Sequence, residues 1–338
     1  MHMNWSSGID PGAYGVRMMG RAGSLKVNES AACALRGETL VALGDDARAM
    51  EARVKGIRVV YPMTTGGVAD ETALYLWLKY LLKEGRERVL LSRPPTMPAS
   101  QMRLLTALTL DCGASACGLV RSDIACALGA GVPPEGEKAR LVLQVGASQI
   151  TATLVAGLRV IAFDSLPYGL RAADEAIVRM LREQYGIAVG PVTAEGAKNS
   201  LGSAMSASGM KERITGLDIH KGWPCQVEVD AGDVADCIVP ILDGVPGLVL
   251  TVLGKASPEV VKDLMEEPIL LAGGGAEVYG LGGRITEQTS LPCTIAKEPG
   301  LCAVKGLSML LDASDDYQHL VEAHQTILEK RFQPGGRL

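Results

Sequence analysis

The chain is 338 residues long, 47% hydrophobic and 21% charged, apolar enough to build ordered cores and too weakly charged for a disordered chain. Its length exceeds what one hydrophobic core sustains, so two lobes are expected. A net charge of -5 supplies no basic field for neutralising phosphates, which excludes nucleic acid as a partner.

In chain order, the leader MHMNWSSGID has no basic segment followed by an apolar one, and so predicts a cytoplasmic protein without a secretory signal. Trp5 is its one aromatic. Residues 8–16 read as a strand running into a glycine turn. Residues 69–83 carry Leu74, Leu78, Leu81 and Leu82 at helical spacing, with Asp70, Glu71, Lys79 and Lys83 between them, an amphipathic helix. Residues 88–91 form a strand entering a Pro-Pro turn, and 100–112 resume helical spacing. Then come a strand at 140–145, a small-residue turn at 146–149 and a strand at 150–155. That strand-turn-strand repeats the N-terminal one, as if one phosphate-gripping hairpin served each lobe.

Residues 238–253 are apolar but interrupted by Pro240, Asp243 and Pro246, which predicts no membrane-spanning helix. Gly273, Gly274 and Gly275 follow the apolar run 268–271 and read as a strand-to-helix turn. Such turns let backbone amides approach an anion or a base closely. The tail, 317–338, opens with helix-compatible spacing at Leu320, Ala323, Ile327 and Leu328 and closes on Pro-Gly-Gly, which reads as a plain solvated end or, second to that, a helix for a partner. Short strands alternating with helices predict an α/β protein. The eight cysteines are scattered without a C-x-x-C pair, which reads as reduced thiols packed in cores.

The remaining signals recur in a fixed order. They are Gly8-Ile9-Asp10-Pro11-Gly12, Asn28-Glu29-Ser30, Ala42 to Ala47 (ALGDDA), Gly67-Val68-Ala69-Asp70, and Ala125 to Pro133 (ACALGAGVP). Thr193-Ala194-Glu195 with Lys198, Leu201-Gly202-Ser203-Ala204, Thr215-Gly216-Leu217, Leu271 to Ala276 (LAGGGA) and Val304-Lys305-Gly306 complete the series. In this order and spacing the chain, from Gly8 to Asp312, resembles the MreB family of bacterial actins. The resemblance implies the actin-like two-lobed fold, with a nucleotide-type cleft between related ribonuclease-H-like domains. It places one lobe at 1–134 (small subdomain 28–70), the other at 135–312 (small subdomain 175–250), and a tail at 313–338. It also implies ATP or ADP held with magnesium, and self-assembly into filaments. The nucleotide contacts would come from Asp10, Gly12, Ala13 and Tyr14 in the first hairpin, and from Gly146, Ala147 and Ser148 in the second. Glu195, Lys198, Gly273, Gly274 and Gly275 would surround the adenine and ribose.

Departures from the family pattern fall on the phosphate side of that site. Ala13 lacks the hydroxyl of the family's threonine, and Tyr14 brings a ring into a turn that is otherwise small. Gln144 replaces the second aspartate and cannot attract a hydrated metal, leaving Asp10 as a weak metal ligand. Ala147, Ser148 and Gln149 follow Gly146 where glycines are expected. Ser122 stands at the catalytic glutamate position, with Arg121 before it and Asp123 after it, and Arg171 falls near an acidic position beside the ribose.

The expected function is therefore a cell-shape cytoskeletal protein that forms or regulates filaments with little or no ATP hydrolysis, its nucleotide and magnesium weakly held or absent. Its partners would be itself, an ordinary MreB-type actin or another cell-shape protein. The alternative is a monomeric actin-like adaptor that holds a protein partner. A phosphotransferase on this fold would need the second aspartate that Gln144 replaces. Residues 83–88, five of the six charged, should not insert into lipid, so membrane contact would be weak or indirect.

Overall fold

A computed structural model describes residues 4–83, 85–136, 138–205, 209–312, 315–321 and 323–326. As far as these are described, the chain divides into two compact units, one from Met1–Arg48, Ile57–Gly131 and Leu301–Leu338, the other from Ala49–Gly56 and Val132–Gly300.

The first unit is built on a six-stranded sheet in the spatial order Ala323–Thr326, Ala116–Arg121, Arg88–Arg93, Ser7–Pro11, Gly15–Gly20, Leu25–Ser30. Ser7–Pro11, Arg88–Arg93 and Ala116–Arg121 run parallel, while Gly15–Gly20 and Leu25–Ser30 continue as an antiparallel meander. Val89, Leu90 and Leu91 are all fully buried, the unbroken apolar run of a parallel strand covered on both faces. Parallel neighbours need crossovers, and the helices Glu71–Leu81 and Ala99–Asp111 supply them. The first starts at Asp70, whose carboxylate accepts the Ala73 amide at 2.9 Å and satisfies one of the helix's open donors. It then buries Leu74, Trp77, Leu78 and Leu81 at helical spacing, each worth about 2 kcal/mol. Trp5 is also in this core, 5% exposed with the Arg88 guanidinium 5.6 Å from its ring, so the leader's aromatic is a packing residue.

Two further elements finish the unit. The helix Cys302–Asp312 lies against the helix Ser122–Gly129 so closely that only small residues fit. A Cβ on Gly129 would come within 1.9 Å of the Cys302 carbonyl oxygen, and one on Gly306 within 1.8 Å of the Ala125 carbonyl oxygen. Ala323–Thr326 forms a strand antiparallel to Ala116–Arg121, where a solvated end or a partner helix is expected from the sequence. The outer edge of Ala116–Arg121 carries backbone donors and acceptors that a strand satisfies and a helix does not. Ile327, Leu328 and the Pro-Gly-Gly end lie outside the described residues.

The second unit repeats the first unit's plan. Its five-stranded sheet runs Arg159–Leu166, Ile150–Ala156, Ala139–Val145, Ile269–Ala272, Cys293–Ile295, again an antiparallel meander followed by parallel strands. A smaller sheet of Ile187–Ala188, Lys211–Asp218 and Pro224–Asp230 joins it. The helices Ala231–Leu242 and Gly244–Leu253 meet at Asp243, one of the three expected interruptions, and taken together are by length and composition long and apolar enough to cross a membrane. They are core elements: Val234, Ile238, Leu242, Val245, Val249 and Val252 are buried in a large apolar cluster of the unit. Pro246 falls in the first turn of Gly244–Leu253, where a missing amide costs little, whereas Pro240 lies inside Ala231–Leu242 and removes one i to i−4 hydrogen bond there. All eight cysteines are free thiols. Burial pushes Cys117 up to about 12, and Cys126 is raised by its hydrogen bond with Cys302 and by burial.

Candidate functional site

Each unit presents a hairpin turn with the same backbone geometry. In the first, the Gly12 amide donates to the Gly15 carbonyl at 3.0 Å; in the second, the Gly146 amide donates to the Gln149 carbonyl at 2.9 Å. A Cβ on either glycine would lie 2.8 Å from the carbonyl oxygen that closes its turn, so both positions require glycine. Asp10 and Gln144 each precede their turn glycine by two residues. In strand register Asp10 faces Arg17, and Gln144 faces Thr151.

Asp10 is engaged on both oxygens. Ser92, from the adjoining parallel strand, donates its hydroxyl to Oδ1, and Nη1 of Arg17 lies 3.5 Å from Oδ2. Tyr14 is half-buried beneath the Arg48 guanidinium, 4.7 Å from the ring centroid, and its carbonyl accepts the Ala31 amide at 2.7 Å. Ala13 is partly buried beside it. At the end of the neighbouring strand Ser122 opens a helix, and Asp123 is 1% exposed. Arg121 grips Asp123 through Nε to Oδ1 at 3.0 Å and Nη2 to Oδ2 at 2.6 Å, while the Ile124 amide reaches Oδ1 at 3.1 Å.

The second hairpin is turned towards a helix. The Leu170 amide donates to the Gly146 carbonyl at 3.1 Å, and the Arg171 amide to the Ala147 carbonyl at 2.9 Å. The turn therefore caps the helix Arg171–Glu183, satisfying amides that the helix itself leaves open. Ser148 is half-buried at its tip. Two of the three glycines that follow Ile269–Ala272 pack onto the same hairpin. Gly273 has φ +80°, and a Cβ there would be 2.4 Å from the Val145 carbonyl oxygen; one on Gly275 would strike Leu170 and Val145 side-chain carbons at 2.5 Å, whereas Gly274 faces open space. Beyond the cluster a 3-10 turn, Gly274–Glu277, precedes the helix Leu281–Thr289. Lys198 is in a largely buried ion pair with Asp174 at 2.6 Å, and Glu195 is half-buried on the same helix, one turn earlier.

The structure thus joins Asp10 and Gly12 with two residues that sequence reading passed over, Arg17 and Ser92. A charge inside the otherwise apolar strand Gly15–Gly20 was the signal for Arg17, and a serine ending the run Val89-Leu90-Leu91 was the signal for Ser92. The divalent metal that the resemblance implies does not fit these donors. Asp10 is already matched by Arg17 and Ser92, Gln144 offers an uncharged amide, and Asp123 is held bidentate by Arg121. Among the described residues no group of three or more His, Cys, Asp or Glu side chains could hold a metal ion.

Comparison with known proteins agrees with this duplicated architecture. The family profile described as MreB/Mbl protein matches residues 5–319. The cell shape-determining protein MreB of Escherichia coli K12 is 26% identical over 323 residues, covering 91% of this chain and 93% of that protein. The cell shape-determining protein Mbl of Bacillus subtilis 168 is 22% identical over 319 residues, covering 91% and 96%. Among solved structures, MreB5 of Spiroplasma citri bound to ADP superposes with a TM-score of 0.85 at 24% identity, covering 90% of this chain and 95% of that one. The AMPPNP-bound form of the same protein also gives 0.85, at 23% identity. The fold is actin-like.

Proposed function

The chain belongs to the MreB/Mbl family, and on that premise we propose that it is a cell-shape cytoskeletal protein that assembles with itself into filaments, binds a nucleotide and hydrolyses ATP little or not at all. The observation that carries the last part is Asp123. Hydrolysis in this superfamily depends on a group that orients and deprotonates water. Ser122 stands where the resemblance puts the family's glutamate, and a serine cannot take that proton. The carboxylate next to it is buried at 1% exposure, with both oxygens bound to Arg121. Gln144, in place of the second aspartate, removes the charge that would steer a hydrated metal.

Nucleotide binding is supported by the two glycine turns and by the open face of Gly274. The Spiroplasma citri relative has been captured with both ADP and AMPPNP. The short charged segment around Arg86 and Glu87 favours a filament that meets the membrane indirectly.

The test is a paired assay on the purified full chain with ATP: negative-stain electron microscopy for filaments, and phosphate release in the same samples. Filaments with phosphate release about 100-fold or more below that of a hydrolysing MreB are expected, the size of a lost general base. Release at a rate typical of the family would refute the non-hydrolysing reading. A stable monomer under every condition would remove self-assembly and leave the adaptor.

A further inference from the structure

We infer that Arg17 takes the place of the divalent metal in this chain, so that the first hairpin receives the nucleotide's phosphates, or another phosphate-bearing anion, without magnesium. The inference rests on the nucleotide-binding reading above and adds to it the chemistry of the contact.

Three observations point the same way. The guanidinium of Arg17 lies across the turn itself. The place a Cβ would occupy on Gly15 is 3.2 Å from Nη2 and 3.3 Å from Cζ, and that on Gly12 is 3.7 Å from Nη1. Both turn glycines therefore leave room for an arginine head as well as for a tight backbone. Second, the arginine is incompletely used. Its contact to Asp10 is long, 3.5 Å, and Nε is buried without a hydrogen-bond partner. An unpaired buried donor is costly unless something arrives to accept from it. Third, the negative charge that would repel a phosphate is already answered, because the carboxylate of Asp10 faces Arg17 on one oxygen and the Ser92 hydroxyl on the other.

A divalent ion at an actin-like hairpin neutralises phosphate charge and fixes its orientation. A guanidinium does both by other means, since it stays protonated at any working pH and offers a planar fork of N–H donors that matches phosphate oxygens. It does not need a ring of carboxylates, which explains how the hairpins can lack the second aspartate without losing the anion. Because the arginine is covalently part of the loop, its charge does not depend on the metal concentration of the surroundings.

The experiment is equilibrium binding of ATP to the full chain in excess magnesium and in EDTA, repeated with inorganic tripolyphosphate. Wild type should bind with Kd values that agree within about threefold in the two conditions. Arg17→Met should lose about tenfold or more in EDTA, as expected for a charge-assisted bidentate contact, with Arg17→Lys recovering part of it. Asp10→Asn distinguishes the two chemistries without touching the arginine: freeing Arg17 from its weak pair should raise affinity, by up to about fivefold, whereas a metal site would lose its one carboxylate. Binding that requires magnesium, or that falls more than tenfold in Asp10→Asn, overturns the inference and leaves the nucleotide reading standing. No binding in either condition overturns both.

Discussion

The two hairpins have kept one backbone and diverged in what surrounds it. Both close with an amide-to-carbonyl bond across the turn, and both begin at a glycine that no other residue can replace without moving the same carbonyl. Around the first, the neighbours are charged: Arg17, Asp10, Ser92, and further along the sheet Arg121 with Asp123. At the second, the backbone takes part: the amides of Leu170 and Arg171 bond to the turn, and Gly273 and Gly275 pack onto Val145. The fold therefore preserves turn geometry through close steric contacts, while the chemistry at each turn depends on side chains one strand away and is free to change. One hairpin is lined by charged side chains, and the other caps a helix.

That contrast can be broken or sharpened by substitution. The largest effect is expected at Gly273→Ala, which needs φ +80° and places a methyl 2.4 Å from a carbonyl oxygen. Strain and clash together should cost about 4 kcal/mol in chemical denaturation, and a neutral result would mean the second hairpin is not packed as described. Next is Arg121→Met, which leaves the buried Asp123 carboxylate uncompensated. It should lower stability by about 3 kcal/mol, with Asp123→Asn in the same background restoring part of the loss. Gly12→Ala and Gly146→Ala meet the same obstacle at 2.8 Å, so each should cost about 2 kcal/mol. Unequal costs would show that the two turns are alike in shape only. The smallest effect is Gly274→Ala, which faces open space and should leave the melting transition within about 0.5 kcal/mol of wild type. A separate arm asks about chemistry: Gln144→Asp alone should not restore phosphate release, because Ser122 and the Arg121-bound Asp123 are unchanged, and only its combination with Ser122→Glu should raise it.

Much of this architecture is legible in the sequence because it follows from short-range rules. The strand-turn-strand at each hairpin, the amphipathic helix behind Asp70 and the strand-ending glycines all follow from local periodicity and turn chemistry. What stayed hidden is what depends on register and partners. The pairing of Arg17 with Asp10 depends on how many residues the turn spans. Lys198 faces Asp174 only because two helices meet, and nothing local marks that meeting. Ala323 belongs to a helix-compatible spacing with Leu320, Ile327 and Leu328, yet Ala323–Thr326 pairs with the edge of the sheet as a strand. Ala231–Leu253 contains residues that usually end helices: Pro246 falls in a first turn, where an amide has no intrahelical partner, Asp243 marks the join between two helices, and Pro240 is accommodated inside the first of them.

The helix Cys302–Asp312 and the strand Ala323–Thr326 have a consequence for biosynthesis. The first unit opens with residues translated before the second unit but is closed by segments translated after it, and the helix that fits against Gly129 and Ala125 does not exist until the ribosome has passed residues 132–300. Residues 132–300 can therefore complete their fold while the earlier half waits with a bare helix face and an open sheet edge. During that interval the nascent chain presents the kind of surface that molecular chaperones bind, and truncation after Gly300 would leave the amino-terminal sheet permanently in that waiting state.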